Sequence, residues 1–205
     1  MHILITGADC PLGQLTAKHF GPVHHVRAVG RGNGPREDGA YIRADLREPE
    51  VVAPLLEGVD AVFHLDVFDP ADALSEKECL DCASRGTYVL LHEARKAGVE
   101  RVVLVSPLSL MAAYPEGHVV DESWKPLPEP DAPSLSPYLA ELACREFARE
   151  EGIFSICLRF GILGEDTSES IALKALEGAL SMPVEAKGYR WQVFHVTSGG
   201  RFETR

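Results

Sequence analysis

The chain has 205 residues, enough for one domain with a sizeable core, and its 45% apolar and 25% charged content is that of an ordinary globular protein. A formal net charge of −11 repels polyphosphate backbones and argues against a nucleic-acid partner. The N-terminus lacks the basic start and long apolar run of a secretory signal, and no apolar stretch reaches the ~18–20 residues of a membrane span, so a cytoplasmic protein with no membrane partner is expected.

In chain order, short apolar runs alternate with helical patterns, which predicts a parallel sheet with crossover helices. Residues 2–6 read as a strand and 11–20 as a helix. Residues 23–29 read as a second strand, followed by the turn-rich stretch Gly30 to Pro35. A short strand at 40–43 and a helix at 50–57 lead to a buried strand at 60–65. A long helix over 74–97 is stopped by Gly98 as a C-cap, and 101–106 is the fifth strand. A proline-rich, acidic loop fills 107–135, within which Pro126 to Pro133 reads as a solvated loop or lid over the C-terminal edge of the sheet. A helix at 136–151, a strand at 153–159, a helix at about 167–180 and a strand at about 191–196 close the chain. No internal repeat or low-complexity tract interrupts this order.

The chemistry starts between the first strand and first helix, at Thr6-Gly7-Ala8-Asp9-Cys10-Pro11-Leu12-Gly13. Gly7 permits a tight turn and Gly13 a close packing of helix on strand. The helix N-terminus offers free N–H groups and partial positive charge to a pyrophosphate. Cys10 stands where a further glycine would widen the approach. Pro11 removes one donor, and Asp9 either adds a carboxylate near the phosphate or caps the helix.

This turn resembles the T-G-x-x-G-x-x-G motif of the extended short-chain dehydrogenase/reductase family, which contains NAD(P)-dependent nucleotide-sugar epimerases and dehydratases. Further matches follow in the family's order. They are Ala44-Asp45-Leu46; Gly58 to Leu65, then Asp66 and Val67 where small residues are usual; Gly86-Thr87; Gly98 to Val103; Ser136-Pro137-Tyr138; and Leu158-Arg159-Phe160-Gly161-Ile162-Leu163-Gly164.

The resemblance implies an α/β Rossmann-like doubly wound parallel sheet with helices on both faces. It implies a single NAD(P)-binding domain over 1–205, in which 165–205 is all that remains of a substrate lobe. It places the cofactor against Gly7, Asp9, Cys10, Pro11, Leu12, Gly13, Arg31, Asp45, Leu46, Leu65, Asp66, Tyr138, Phe160 and Ile162. Arg31, ending the second strand, suits the extra phosphate of NADP, with NAD as the alternative; otherwise Arg31 is a solvated cation.

The resemblance also makes Tyr138 the catalytic acid or base, with Ser106 or Ser109 as its hydroxyl partner. A free tyrosine titrates near ~10, so use at neutral pH needs about 4 kcal/mol of phenolate stabilisation. The family's lysine four residues on is Leu142 here. Glu141 on the same helical face is expected to oppose a phenolate, and Arg145 lies a further turn away. The family's asparagine before Gly-Thr falls on Ala83.

Cys79 and Cys82 form a C-x-x-C pair without a second ligand pair, so no metal is expected and a structural role is favoured over a redox one. His24, His25, His64, His118 and His195 read as structural or solvent-facing. Three functions follow. One is an NADP-linked oxidoreductase, or small epimerase or dehydratase, on an unidentified carbonyl or sugar. Another is a non-catalytic dinucleotide sensor or scaffold. The third is a homo-oligomeric partner with a vestigial site, a homodimer pairing helices 74–97 and 136–151.

Overall fold

The computed structural model describes residues 1–32, 41–67, 75–150, 152–184 and 190–202. Seven strands form one sheet: β1 (His2–Thr6), β2 (His25–Gly30), β3 (Tyr41–Arg43), β4 (Ala61–His64), β5 (Arg101–Pro107), β6 (Phe154–Phe160) and β7 (Trp191–Val196). Every pairing is parallel, in the order β3-β2-β1-β4-β5-β6-β7. The order reverses at β1 and β4, which is where open α/β sheets bind ligands beyond the strand ends.

Alternation along the strands divides the core. Leu4, Val62, Val102 and Leu104 face one way and pack with residues of α2 (Pro49–Leu55), α4 (Thr87–Ala97) and α5 (Ala132–Arg149). Ile3, Ile5, Phe63, Val103 and Val105 face the other way, towards α1 (Pro11–Phe20) and α6 (Glu169–Ser181). Both faces are covered, so the central strands read as continuous apolar runs.

Three segments differ from expectation. The long helix is broken: α3 (Glu76–Asp81), capped by Ser75 and Glu78 in a reciprocal capping box, passes into a π-helical turn at Cys82–Gly86 before α4. Gly98 ends α4 at φ +79°, as its position predicts. The helix expected from 136 begins at 132, because Asp131 accepts the Ser134 N–H at 2.8 Å and Pro133 suits a first turn. Pro137 is carried inside the helix. The loop before it contains a 3-10 turn at Leu108–Met111, onto which Leu127 N–H folds back through the Leu110 carbonyl. Residues 33–35 of the expected turn, residue 40 of the third strand, residue 74 and residue 151 lie outside the described residues.

Candidate active site at the C-terminal edge of the sheet

The turn after β1 is built on two glycines. Gly7 has φ +68°, and a β-carbon there would lie 2.7 Å from the Asp66 backbone nitrogen; one at Gly13 would lie 2.2 Å from the Gly7 carbonyl oxygen. No larger residue fits either position. Cys10, not Asp9, caps α1: its Sγ accepts the Gly13 N–H at 3.3 Å, and its side chain is 1% exposed. The thiol is therefore folded into the core and does not narrow the phosphate approach. The helix start is reduced in another way. Pro11 has no N–H and Gly13's is taken, so Leu12 N–H is the one of these first-turn amides with no partner among the described residues.

Asp9 also departs from both expected roles. Its carboxylate crosses to the β2 exit and accepts the Gly32 N–H at 2.6 Å, filling the space that Gly30 leaves without a side chain. Arg31 is not a solvated surface cation but stands on the wall of a cleft. It turns inward, 17% exposed, with Nε 3.5 Å from Asp66 Oδ1 and Nη1 donating to Cys82 Sγ at 3.0 Å. The Asp66 contact is an ion pair without hydrogen-bond alignment, so the buried Nε has no acceptor among the described residues. Burial pushes the Asp66 carboxyl above its ordinary value, and Arg31 opposes that shift.

Asp45 is clasped by Arg47 at 2.6 Å, which holds its carboxyl below the usual range; Arg47 also reaches Asp81 at 3.0 Å. Leu46 is buried beside Gly86, and Leu65 is fully buried under the turn. His64 is enclosed between Thr6 Oγ1 at 2.7 Å from Nδ1 and Thr87 Oγ1 at 2.9 Å from Nε2, a structural position as expected. Its burial, with Arg31 nearby, lowers its pKa to about 4.

Two clefts open beyond the strand ends, sharing Pro107 and Ser109. The smaller, about 280 Å³, is lined by Arg31, Asp66, Val67, Cys79, Cys82, Ala83, Pro133, Ser136 and Pro137. The larger, about 690 Å³, is lined by Pro11, Leu108, Ala112, Phe160 to Leu163, Asp166, Thr197 and Gly199 to Phe202. Ser109 is the one expected catalytic residue that reaches both. Among the described residues, buried Ser106 Oγ has no hydrogen-bond partner, and Tyr138 is half-buried and lines neither cleft. No hydrogen bond joins Tyr138 to either serine among the described residues. Phe160 forms the floor of the larger cleft, and Ile162, 60% exposed, its rim.

Glu141 has a partner that the sequence reading did not foresee. It accepts from Arg159 Nη2 at 2.8 Å and Nε at 3.0 Å, with both side chains at most 5% exposed. Arg159 Nη1 lies 3.5 Å from both His195 Nε2 and Met111 Sδ, and His195 N–H donates to Glu122 at 3.1 Å. Arg145 pairs with Glu146 and not with the tyrosine. Sequence reasoning missed this network and the cleft positions of Cys82 and Ser136. The Arg159–Glu141 pairing carried one readable signal: an arginine in a buried strand needs a buried carboxylate.

Residues 3–170 match the model of the NAD dependent epimerase/dehydratase family. The chain belongs to that family. It is 33% identical over 132 residues to sterol demethylase protein B of Methylococcus capsulatus, covering 60% of this chain and 39% of that protein. It is 26% identical over 168 residues to uronate dehydrogenase of Pseudomonas syringae pv. tomato, covering 78% and 58%. A mutant uronate dehydrogenase from Agrobacterium tumefaciens complexed with NAD shares the fold at TM-score 0.85 and 18% identity, over 98% of this chain and 80% of that one. The chain thus spans less than two thirds of the length of the curated relatives it matches. Among the described residues, no helix is long and apolar enough to cross a membrane, and no three metal-ligating side chains converge.

Proposed function

We propose that this chain binds NAD along the C-terminal edge of the sheet and acts as an NAD-linked oxidoreductase or epimerase on a sugar-like substrate held in the larger cleft. One observation carries the reading: Pro11, in the glycine-built turn after β1, lines the larger of two adjoining clefts that meet at Ser109 beyond the strand ends, where the order of the sheet reverses. The residues present fit the dinucleotide. Leu12 N–H offers a donor to the diphosphate, Asp45 stands beyond β3 at the adenosine end, and Arg31 Nε and Ser136 Oγ are buried polar atoms in want of partners beside the smaller cleft. NAD is favoured over NADP because Arg31, at the end of β2, is already engaged by Asp66, with Asp9 and Asp45 close by, and this acidic surround opposes an extra phosphate.

When bound, the nicotinamide supplies the hydride acceptor. The chain's own part is to orient the substrate hydroxyl through Ser109 and to exclude water with Phe160 and the 108–112 turn. Tyr138 is the proton acceptor the resemblance assigns. Without a lysine at 142 its phenolate lacks the usual support, and turnover is expected to be slow. A second reading, a dinucleotide sensor or scaffold without catalysis, is favoured by that same Leu142 and by Tyr138 standing outside both clefts.

Thermal unfolding with NAD, NADP and no ligand tests binding: NAD at ~100 times its dissociation constant adds about 2.7 kcal/mol, and NADP at that same concentration adds less. Nicotinamide absorbance with uronic acids and aldoses then tests chemistry. Binding without any absorbance change selects the sensor reading. Turnover that persists in Tyr138→Phe removes the tyrosine from the reaction, and no stabilisation by either cofactor overturns the proposal.

A further inference from the structure

The C-x-x-C pair has no part in the function proposed above, yet it does not lie in inert core. Cys79 sits in α3, Cys82 opens the π-helical turn, and both line the smaller cleft. Residues three apart share a helical face with β-carbons about 5–6 Å apart. A disulfide needs α-carbons about 4.4–6.8 Å and β-carbons about 3.5–4.5 Å apart, so the pair must close by an ångström or two. The widened turn beginning at Cys82 is where the helix can give. Cys79 is the more exposed of the two. Cys82 is the more enclosed, with Arg31 Nη1 3.0 Å from its sulfur. Burial pushes the Cys82 thiol up, and Arg31 and Arg47 pull against it. The other three thiols are buried: Cys10 caps α1, and burial pushes Cys144 and Cys157 well above the ordinary thiol range.

We propose that Cys79 and Cys82 are a redox modification site, closing to a reversible disulfide on the cleft wall when they meet a small disulfide of the glutathione class. The Cys79 thiol releases its proton to water, and its sulfur attacks the oxidant, expelling one reduced thiol and leaving a mixed disulfide. Cys82, its thiolate steadied by Arg31, then attacks Cys79 Sγ, and the second small thiol departs. One S–S bond of the oxidant is broken and one is formed in the protein; two protein S–H bonds are lost and two small-molecule thiols appear. Closure draws the Cys82 sulfur towards Cys79 and takes one of Arg31's partners away. The bond must tighten a helical turn, so it is readily reduced and works as a switch, not a staple.

The test needs no cofactor. The full chain is incubated with oxidised glutathione, alkylated and digested with trypsin, which places both cysteines in the single peptide 78–85. The expected product is that peptide lighter by two hydrogens, with no retained glutathione, three alkylatable thiols instead of five, and full recovery with dithiothreitol. Cys82→Ser is expected to stop at glutathione bound to Cys79, and Cys79→Ser to leave the remaining thiols free. Five alkylated thiols in the wild type, glutathione retained on wild-type Cys79, or a link between other cysteines overturns the proposal. None of these outcomes bears on whether NAD binds.

Discussion

Two arginine–carboxylate pairs flank β5 and could hardly be used more differently. Arg159 and Glu141, joining β6 to α5, meet through two short hydrogen bonds and are sealed from water. Arg31 and Asp66, beyond β2 and β4, approach through one contact at 3.5 Å, with a guanidinium nitrogen left unpartnered and both residues on a cleft wall. A closed pair adds little net stability but is costly to break, because either partner alone is a buried charge. An open pair is cheaper to disturb, and its unmet hydrogen-bonding capacity is what a ligand can use. Where α5 in the family carries a lysine for chemistry, this chain has Leu142, and one residue earlier it spends a carboxylate on holding the fold.

The largest expected effect is on the closed pair. Glu141→Gln strands Arg159 and is expected to cost about 3–5 kcal/mol, lowering the melting temperature in calorimetry by about 2–4 °C for each kcal/mol. Glu141→Leu combined with Arg159→Met should recover most of that loss. A double variant as unstable as the single one would show that the network is not a self-contained unit.

Next in size is acid sensitivity on the crevice side. The unfolded His64 takes up its proton near pH 6.5, whereas the enclosed ring does so only near about 4. Its contribution is therefore complete above pH 6.5 and is lost as pH falls towards 4, about 3 kcal/mol in all. His195, lowered first by burial and then by Arg159, adds in the same direction. Urea titrations at pH 7 and 4.5 should show a smaller pH difference in His64→Gln than in the wild type.

The smallest effect is on the open pair. Arg31→Met is expected to cost less than about 3 kcal/mol, because the pair meets through one unaligned contact on a cleft wall and not through a closed, doubly hydrogen-bonded geometry. Asp66 already holds its proton more tightly folded than unfolded, so its stabilising protonation is full below pH 3.8 and erodes as pH rises. Removing Arg31 raises the carboxyl further, so in melting curves taken across the pH range where the wild type is folded the variant should fall progressively further behind as pH rises above 3.8. Equal melting temperatures across that range would mean that Arg31 is not the counter-ion of Asp66.

Much of the frame was legible because it rests on local rules. Gly7, Gly13 and Gly98 occupy the positions that a tight turn, a close approach and a C-cap demand, and helix 11–20 and strand 191–196 fall where the apolar pattern places them. Helix α5 began four residues earlier than expected because a proline-rich tract was read as loop, while Asp131 supplied a cap. The side chains of the site were less legible. Asp9, Arg31 and Glu141 were assigned by position in a motif, but each satisfies a partner 18 to 35 residues away in the chain.

The doubly wound parallel sheet and the glycine turn after β1 were readable in the sequence, because periodicity and backbone permissiveness are local. The family, and with it the leucine at 142 in place of a lysine, was readable from the resemblance of the ordered motifs. Only the tertiary structure decided that Cys10 caps a helix, that Arg31 turns onto Asp66, that Glu141 belongs to Arg159, and that Cys79 and Cys82 share a cleft wall. Charge pairing and burial depend on which strand ends meet in space, and spacing along the chain does not encode that.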